Sequence, residues 1–418
     1  MVLMKSQKGM TTLLITSMLL IVALLFSLAS YKNLFYQIKR TQNEVVARQS
    51  HWLAEGGLEC GFATIREEKD ITTDLSSCVD VFGNNLDSLT LDSTISPAEL
   101  SSKKMGVNLS KNISANGGGS YGVIKSSADL YFKGDHEYYA DPNYKLSDNS
   151  WACLVLRYKN TFYINNDSTS FFTNKGLETG SEECNESYIT NTKQLPVIYN
   201  SDIKLDDTMD VFKETFNEER INWEEVKFSE VFVQFDVIDP NNCATEIKNK
   251  ITTEKRYIWV TGNCFLEQAT GLDELSEESQ KGDGIFLLIE NGLLSVNGAS
   301  STFKGIIYHF INNYSPIESG TNQWSISTYG MWTYVSNLTM YKPKGITLTP
   351  TQQEEMRDKL VFFMNGSFVP SGGYIFDTPD KLAYFNMSSD LSYDGTLIDN
   401  LLSEFNIPTW VQGSWNDL

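Results

Sequence analysis

The chain has 418 residues, enough for a sizeable core and more than one domain. Its hydrophobic content of 41% and charged content of 21% are ordinary, but its formal net charge is −20. An acidic surface of that strength repels phosphate backbones, which argues against broad nucleic-acid binding and leaves only a local basic patch as a route to it.

In chain order, residues 1–9 read MVLMKSQKG and carry Lys5 and Lys8, and residues 10–29 read MTTLLITSMLLIVALLFSLA without one charge. A helix of roughly 20 such residues spans about 30 Å, the thickness of a hydrocarbon core. The lysines precede it, so the positive-inside rule places the first residues in the cytoplasm and everything after the span outside. A secretory signal peptide would end in small residues of Ala-x-Ala type, but here Ser30, Tyr31 and Lys32 follow Ala29. The helical pattern instead continues to Gly56 without Gly or Pro. Leu34, Ile38, Thr41, Val45 and Trp52 fall near one face, while Lys39, Arg40, Glu44 and Arg48 occupy solvated positions. The expectation is one helix of roughly 45 residues, on the order of 70 Å long, with a change of direction at Gly56-Gly57.

The basic leader ending in Lys8-Gly9, the apolar run from Met10 and the polar second half of the helix resemble the type IV prepilins. Within them they are similar to the PilX-type minor pilins, over about 55 of the 418 residues. The resemblance implies cleavage between Gly9 and Met10 by a prepilin peptidase and N-methylation of Met10. It also implies residence in the inner membrane as a single-pass protein with a cytoplasmic N-terminus, followed by assembly with other minor and major pilins into a periplasmic and extracellular filament. Most pilins carry Glu at the fifth mature position, where it pairs with the N-terminal amine of a neighbour. Here that residue is Leu14, and the apolar half holds no acid. In related filaments the subunit lacking this Glu sits at the tip, since a buried charge without a partner is costly. The implied role is therefore priming and capping a type IV pilus-like filament. A tip adhesin for glycans, surfaces or DNA, or a type II secretion tip pseudopilin, are the alternatives.

After the helix, residues 68–120 are rich in Ser, Thr, Asn and Asp and read as long loops with a few strands. The six cysteines, Cys60, Cys78, Cys153, Cys184, Cys243 and Cys264, include no CxxC pair. Their even number suits disulfides in an oxidising compartment. Short loops favour Cys60–Cys78, Cys153–Cys184 and Cys243–Cys264, although the count alone leaves the connectivity open. From Tyr121 onward strand signals dominate. WACLVLRYKNTFYI (151–164) holds two runs around a Lys-Asn turn, and EVFVQFDVI (230–238) alternates. The runs IFLLIE, LLSV and FKGIIYHF are punctuated by Asn291-Gly292 and Asn297-Gly298, the chemistry of type I′ turns, and should be central strands. Helices are expected over 206–223, from a Thr349-Pro350 cap, and over 396–405. The expected architecture is α+β: leader 1–9, transmembrane and stalk helix 10–67, a mostly β part 68–240 and a strand-rich part 241–418, without an internal repeat.

No GxSxG, HExxH, P-loop or dinucleotide motif is present, so no enzyme activity and no cofactor are expected. With only three histidines a zinc site has little support. Asp92-Ser93-Thr94-Ile95-Ser96 formally fits a metal-adhesion pattern, but no buried strand precedes it. The aromatic stretch 321–342 and the C-terminal tryptophans supply the candidates for ligand stacking, Trp324, Trp332, Trp410 and Trp415, with core packing as the alternative.

Overall fold

The computed structural model describes residues 8–68, 73–82, 86–93, 97–114, 122–142, 144–164, 170–174, 184–192, 200–327, 331–338, 341–342, 346–387, 389–405, 408–411, 413–414 and 416–417. The chain divides into two compact units, Met1–Ala115 with Pro408–Leu418, and Asn116–Ile407. The second unit is thus inserted, in sequence, into the first. The division expected near residue 240 falls inside the second unit, where the strands flanking it, Val233–Asp236 and Tyr257–Thr261, pair with each other.

The first unit is built on α1 (Lys8–Glu68), which runs 61 residues without a break. Residues 11–49 are exposed along the whole helix surface. From Ser50 the helix acquires a buried stripe, Ala54, Leu58 and Ile65, at helical spacing. This stripe packs on Leu100, Leu109 and Ile113 of an antiparallel meander, β1 (Ser88–Asp92), β2 (Ala98–Lys104) and β3 (Val107–Ser114). The Gly56-Gly57 pair does not turn the chain. Gly57 lets the sheet approach: a Cβ there would stand 2.6 Å from Ser102 Oγ and 2.8 Å from Leu86 Cδ1. Cys60 bonds Cys78 on α2 (Ser76–Phe82). The C-terminal strands Thr409–Trp410 and Asn416–Asp417 return to pair with β3.

The second unit is a solenoid of parallel strands, not a set of hairpins. Its strands are β4 (Ile124–Ser126), β5 (Asp129–Lys133), β6 (Asp135–Tyr139), β7 (Leu156–Tyr158), β8 (Phe162–Ile164), β9 (Ser170–Thr173) and β10 (Ile203–Leu205). After a crossing segment come β11 (Val233–Asp236), β12 (Tyr257–Thr261), β13 (Cys264–Glu267), β14 (Ile285–Glu290), β15 (Leu294–Phe303), β16 (Gly305–Phe310), β17 (Leu360–Pro370), β18 (Tyr374–Asp377), β19 (Leu382–Asn386) and β20 (Ser389–Ser392). They form three parallel sheets, ordered β10-β7-β4-β18-β16-β14-β12-β11, β8-β5-β19-β17-β15-β13 and β9-β6-β20. Such strands lie between layers, which is why IFLLIE and GIIYHF are buried at every position.

The Asn-Gly pairs therefore mark corners rather than hairpins. Asn291, at φ 49°, turns the chain from β14 in one sheet to β15 in another, and Gly298 lies within β15. Gly292 permits the adjacent coil to stack, since a Cβ there would meet the Gly262 carbonyl oxygen at 2.1 Å. The Lys-Asn turn at 159–160 likewise separates strands of different sheets.

Spatial order and chain order differ in one respect. The first coils run outward as β4, β7, β10, and the later ones run from β11 inward to β18, which pairs with β4. The solenoid is a circular permutation of a simple winding. The segment 206–232 joins its two ends and carries α3 (Val211–Phe216) and α4 (Trp223–Lys227). It is fastened to successive strands in the order the sheet presents them. Arg157 on β7 pairs with Asp206 (2.7 Å) and Glu214 (2.8 Å), and Lys125 on β4 with Glu214 (3.1 Å). Farther along, Arg220 pairs with Asp377 on β18 (3.0 Å) and Lys227 with Glu290 on β14 (2.6 Å). Phe212, Phe216 and Trp223 pack with Tyr308, Phe310 and Trp259 between these fastenings. Asn217, at φ 56°, ends α3, so the helix expected over 206–223 is two short ones.

At one end α5 (Cys243–Lys248) is bonded to β13 through Cys243–Cys264, and α6 (Leu272–Ser279) packs beside it. Cys153–Cys184 ties the coil of β7. Between β16 and β17 lies an excursion with α7 (Met331–Ser336) and α8 (Pro350–Lys359), the latter opened by the Thr349–Gln352 capping box. The excursion covers an aromatic row on the second sheet: Tyr131, Tyr384 and Phe363, with Trp324, Val335 and Leu338 laid over it. After β20, α9 (Gly395–Leu402) and a short 3₁₀ turn to Phe405 complete the unit.

Candidate functional site

In the first unit, the extended part of α1 presents an apolar surface that no other described residue of the unit covers. Leu13, Leu14, Ile15, Leu19, Leu20, Leu24 and Leu25 are each more than half exposed, Leu14 by 62%. Two of its hydroxyls are spent inside the helix: Thr16 Oγ1 donates to the Thr12 carbonyl at 3.0 Å and Ser17 Oγ to that of Leu14 at 3.0 Å. The surface therefore has no unmet polar group from these side chains to oppose transfer out of water. The backbone of Gly9 and Met10 belongs to α1. Residues 1–7 lie outside the described part.

The tryptophans fall into different settings. Trp324 is fully buried and donates its indole N–H to the Leu360 carbonyl at 2.9 Å, so it is a core residue and not a ligand platform. It lies on a 3₁₀ turn, Gln323–Ile326, rather than on a strand. Trp410 stacks on Phe62 of α1 (centroids 4.1 Å apart) with the Lys111 ammonium 4.6 Å from its ring, so its faces are already taken. Trp332 stays 37% exposed on α7. Trp415 lies outside the described residues.

Buried polar groups in the solenoid are mostly structural. His136 and His309 are pushed down to about 4 by burial and stay neutral. His309 Nε2 lies 2.9 Å from the Gly292 carbonyl. His136 Nδ1 lies 2.8 Å from Ser389 Oγ, which also meets the Tyr138 hydroxyl at 2.8 Å. All three residues are sealed from solvent, so this Ser–His pair has no route to a substrate. Burial would raise the Glu214 carboxyl, but Lys125 and Arg157 reverse this and hold it below its ordinary value. Among the described residues no group of His, Cys, Asp and Glu is placed to hold a metal. Thr94, Ile95 and Ser96 of the adhesion-like pattern lie outside them.

A polar row that the sequence did not reveal runs across the second sheet. Asn386 Nδ2 donates to Asn365 Oδ1 (2.9 Å), Asn365 Nδ2 to Asn297 Oδ1 (3.0 Å) and Asn297 Nδ2 to Glu267 Oε2 (2.7 Å). Lys133 occupies the next register position beyond Asn386. Each donor points toward Glu267, whose Oε2 accepts from Asn297, and this sets the orientation of every amide in the row. At the Lys133 end the row opens into a cavity of about 330 Å³ lined by Lys133, Asn386 and, from the excursion, Thr333, Tyr334, Asn337 and Leu338. Trp332 is not one of its walls. No family model, no curated protein and no solved structure matches this chain.

Proposed function

We propose that the chain is a minor pilin-like subunit that primes assembly of a type IV pilus-like filament and caps its tip, with no catalytic step of its own. On this reading residues 10–29 hold it in the inner membrane, the peptidase cuts between Gly9 and Met10, and the exposed half of α1 then packs among the helices of other pilins. The observation that carries the reading is the division of α1 itself. One half is bare over residues 11–49 and uncharged on every side over residues 11–29, and the other is seated on its own antiparallel sheet. A helix apolar all round needs lipid or other helices about it. The three disulfides support an oxidising compartment for the two units. Leu14, with the first acid of α1 not reached until Glu44, supports the tip, where no neighbouring amine would neutralise a carboxylate. The test is the mass of the mature N-terminus. Methylated Met10 as first residue, and accumulation of full-length precursor in Gly9→Val, are expected; a mature chain starting beyond residue 29 would refute the reading. Deleting the gene should abolish piliation, whereas loss of protein secretion with normal pili would assign the subunit to a secretion pseudopilus instead.

A further inference from the structure

The cavity at the end of the asparagine row lies in the second unit and is not used by the reading above. In a chain of net charge −20, it is walled by one lysine and, among the described residues, by no acid. The cations fastening the crossing segment, Lys125, Arg157, Arg220 and Lys227, all face carboxylates within 4 Å; Lys133 faces none among the described residues. Its ammonium is available to an anion from outside.

The neighbouring groups say more about that anion. Asn386 donates one amide N–H to Asn365, so its carbonyl oxygen and second N–H form the free end of the row. Asn337 Nδ2 likewise donates one N–H, to the Thr333 carbonyl at 2.8 Å, which leaves its oxygen and its other N–H for a ligand. The two carboxamides, each with an oxygen and one N–H to offer, suit hydroxyls, which both donate and accept, better than the oxygens of a phosphate, which at neutral pH chiefly accept. Tyr334, 48% exposed, offers a ring against which an apolar C–H face can lie. A cavity of about 330 Å³ is at the small end of ligand sites, suited to one or two sugar rings rather than a folded partner.

We propose that this groove binds a saccharide carrying a carboxylate, with the acid on Lys133, ring hydroxyls on Asn386 and Asn337, and one sugar face on Tyr334. The site stands on the second unit alone and does not depend on the filament reading. It places any adhesive function of the chain in the solenoid and away from the tryptophans.

The test uses the full chain in detergent micelles and calorimetric titration with trigalacturonate and sialyllactose, each beside its methyl ester, and with maltotriose. At least one acid should bind about tenfold more tightly than its ester, the gain expected of one charge-assisted contact. Lys133→Met should erase that preference while keeping the thermal midpoint of the parent. Tyr334→Ala, at an exposed ring, should weaken acid and ester alike, and Lys281→Met, a distant surface lysine, should change nothing. The proposal is overturned if neither acid binds at about 10 mM, if acid and ester bind equally, or if Lys133→Met keeps the preference. Displacement of the bound acid by an equal concentration of inorganic phosphate would also overturn it, by marking a phosphate site.

Discussion

Replacing Glu267 with glutamine should remove a pH dependence that the native solenoid carries. Glu267 is only 2% exposed, one of its oxygens accepts from Asn297 at 2.7 Å, and the other has no hydrogen-bond partner. Burial lifts its carboxyl from 4.5 to about 7, with the Asn297 amide acting the other way. Below pH 4.5 both folded and unfolded chains hold the proton, and the group contributes no penalty. Between 4.5 and about 7 only the unfolded chain releases it, so stability falls as pH rises. Above about 7 both are ionised, and the penalty stays constant at about 3 kcal/mol for a shift of this size. Glutamine keeps the shape and the bond to Asn297 but cannot ionise. The variant should match the parent at pH 4.5 and exceed it by about 2–3 kcal/mol at pH 8. Asp202 and Asp377, both raised by burial to about 6, titrate equally in the two proteins and drop out of the difference. Urea denaturation with intact disulfides, followed by tryptophan fluorescence at several pH values, reads this directly. Parallel pH profiles for parent and variant would show that Glu267 is not held protonated by the fold.

Gly57→Val should push α1 off its sheet, because Ser102 Oγ already lies 2.6 Å from where a Cβ would stand. A loss of about 1–3 kcal/mol in the first unit is expected in thermal unfolding, and an unchanged midpoint would refute the close approach. Arg220→Met leaves Asp377 buried without its cation and should destabilise the solenoid by about 3–5 kcal/mol, read by denaturant titration; a loss below about 1 kcal/mol would mean that this pair does not help to hold the crossing segment. Peptide mapping without reductant should find all six cysteines paired, and breaking Cys153–Cys184 should cost about 2–4 kcal/mol. Leu14→Glu puts a carboxylate into the apolar segment at about 3 kcal/mol. Fewer pili per cell are expected from a tip subunit, and wild-type counts would argue for the shaft.

What the sequence revealed was local. The uncharged run beginning at Met10 announces α1, the Thr349-Pro350-Thr351-Gln352 signature announces a capped helix, and short loops pick out the three disulfide pairs. Unbroken apolar runs such as IFLLIE correctly signal strands covered on both faces. The solenoid was not legible because its coils vary in length and one contains the whole excursion between β16 and β17, so no period survives in the sequence. Asn297, Asn365 and Asn386 are 68 and 21 residues apart and align only after parallel stacking sets the register. The same holds for Lys133, an ordinary surface lysine in sequence that becomes notable only beside Asn386 and the excursion. Asn-Gly is a hairpin signal when two strands share a sheet. At Asn291-Gly292 the same left-handed conformation serves a corner, and sequence alone does not distinguish the two uses.

The circular permutation has a mechanical consequence. The connection before β4 leaves from the middle of the solenoid, where the coils bearing β4 and β18 are direct neighbours, whereas the chain after β20 first runs along α9, whose Leu401 carbonyl accepts from the Tyr257 hydroxyl on β12, to Phe405 against Phe232 and Tyr257. Lys133 and Asn386, which wall the groove, sit on β5 and β19 of those same two coils. A pull applied at the groove therefore reaches the first tether through the β4 coil, and the second only by way of α9 and Phe405, which rest on β12 and β14, while the coils toward β10 stay unloaded. Within the loaded pair the strands are joined side by side along their length, at Ile124 to Tyr374 in one sheet and Leu130 to Ala383 in the next. The helix α9 then acts as a strut that shares the load of this pair with the coils it lies on, so tension enters one side of the stack and spares the other.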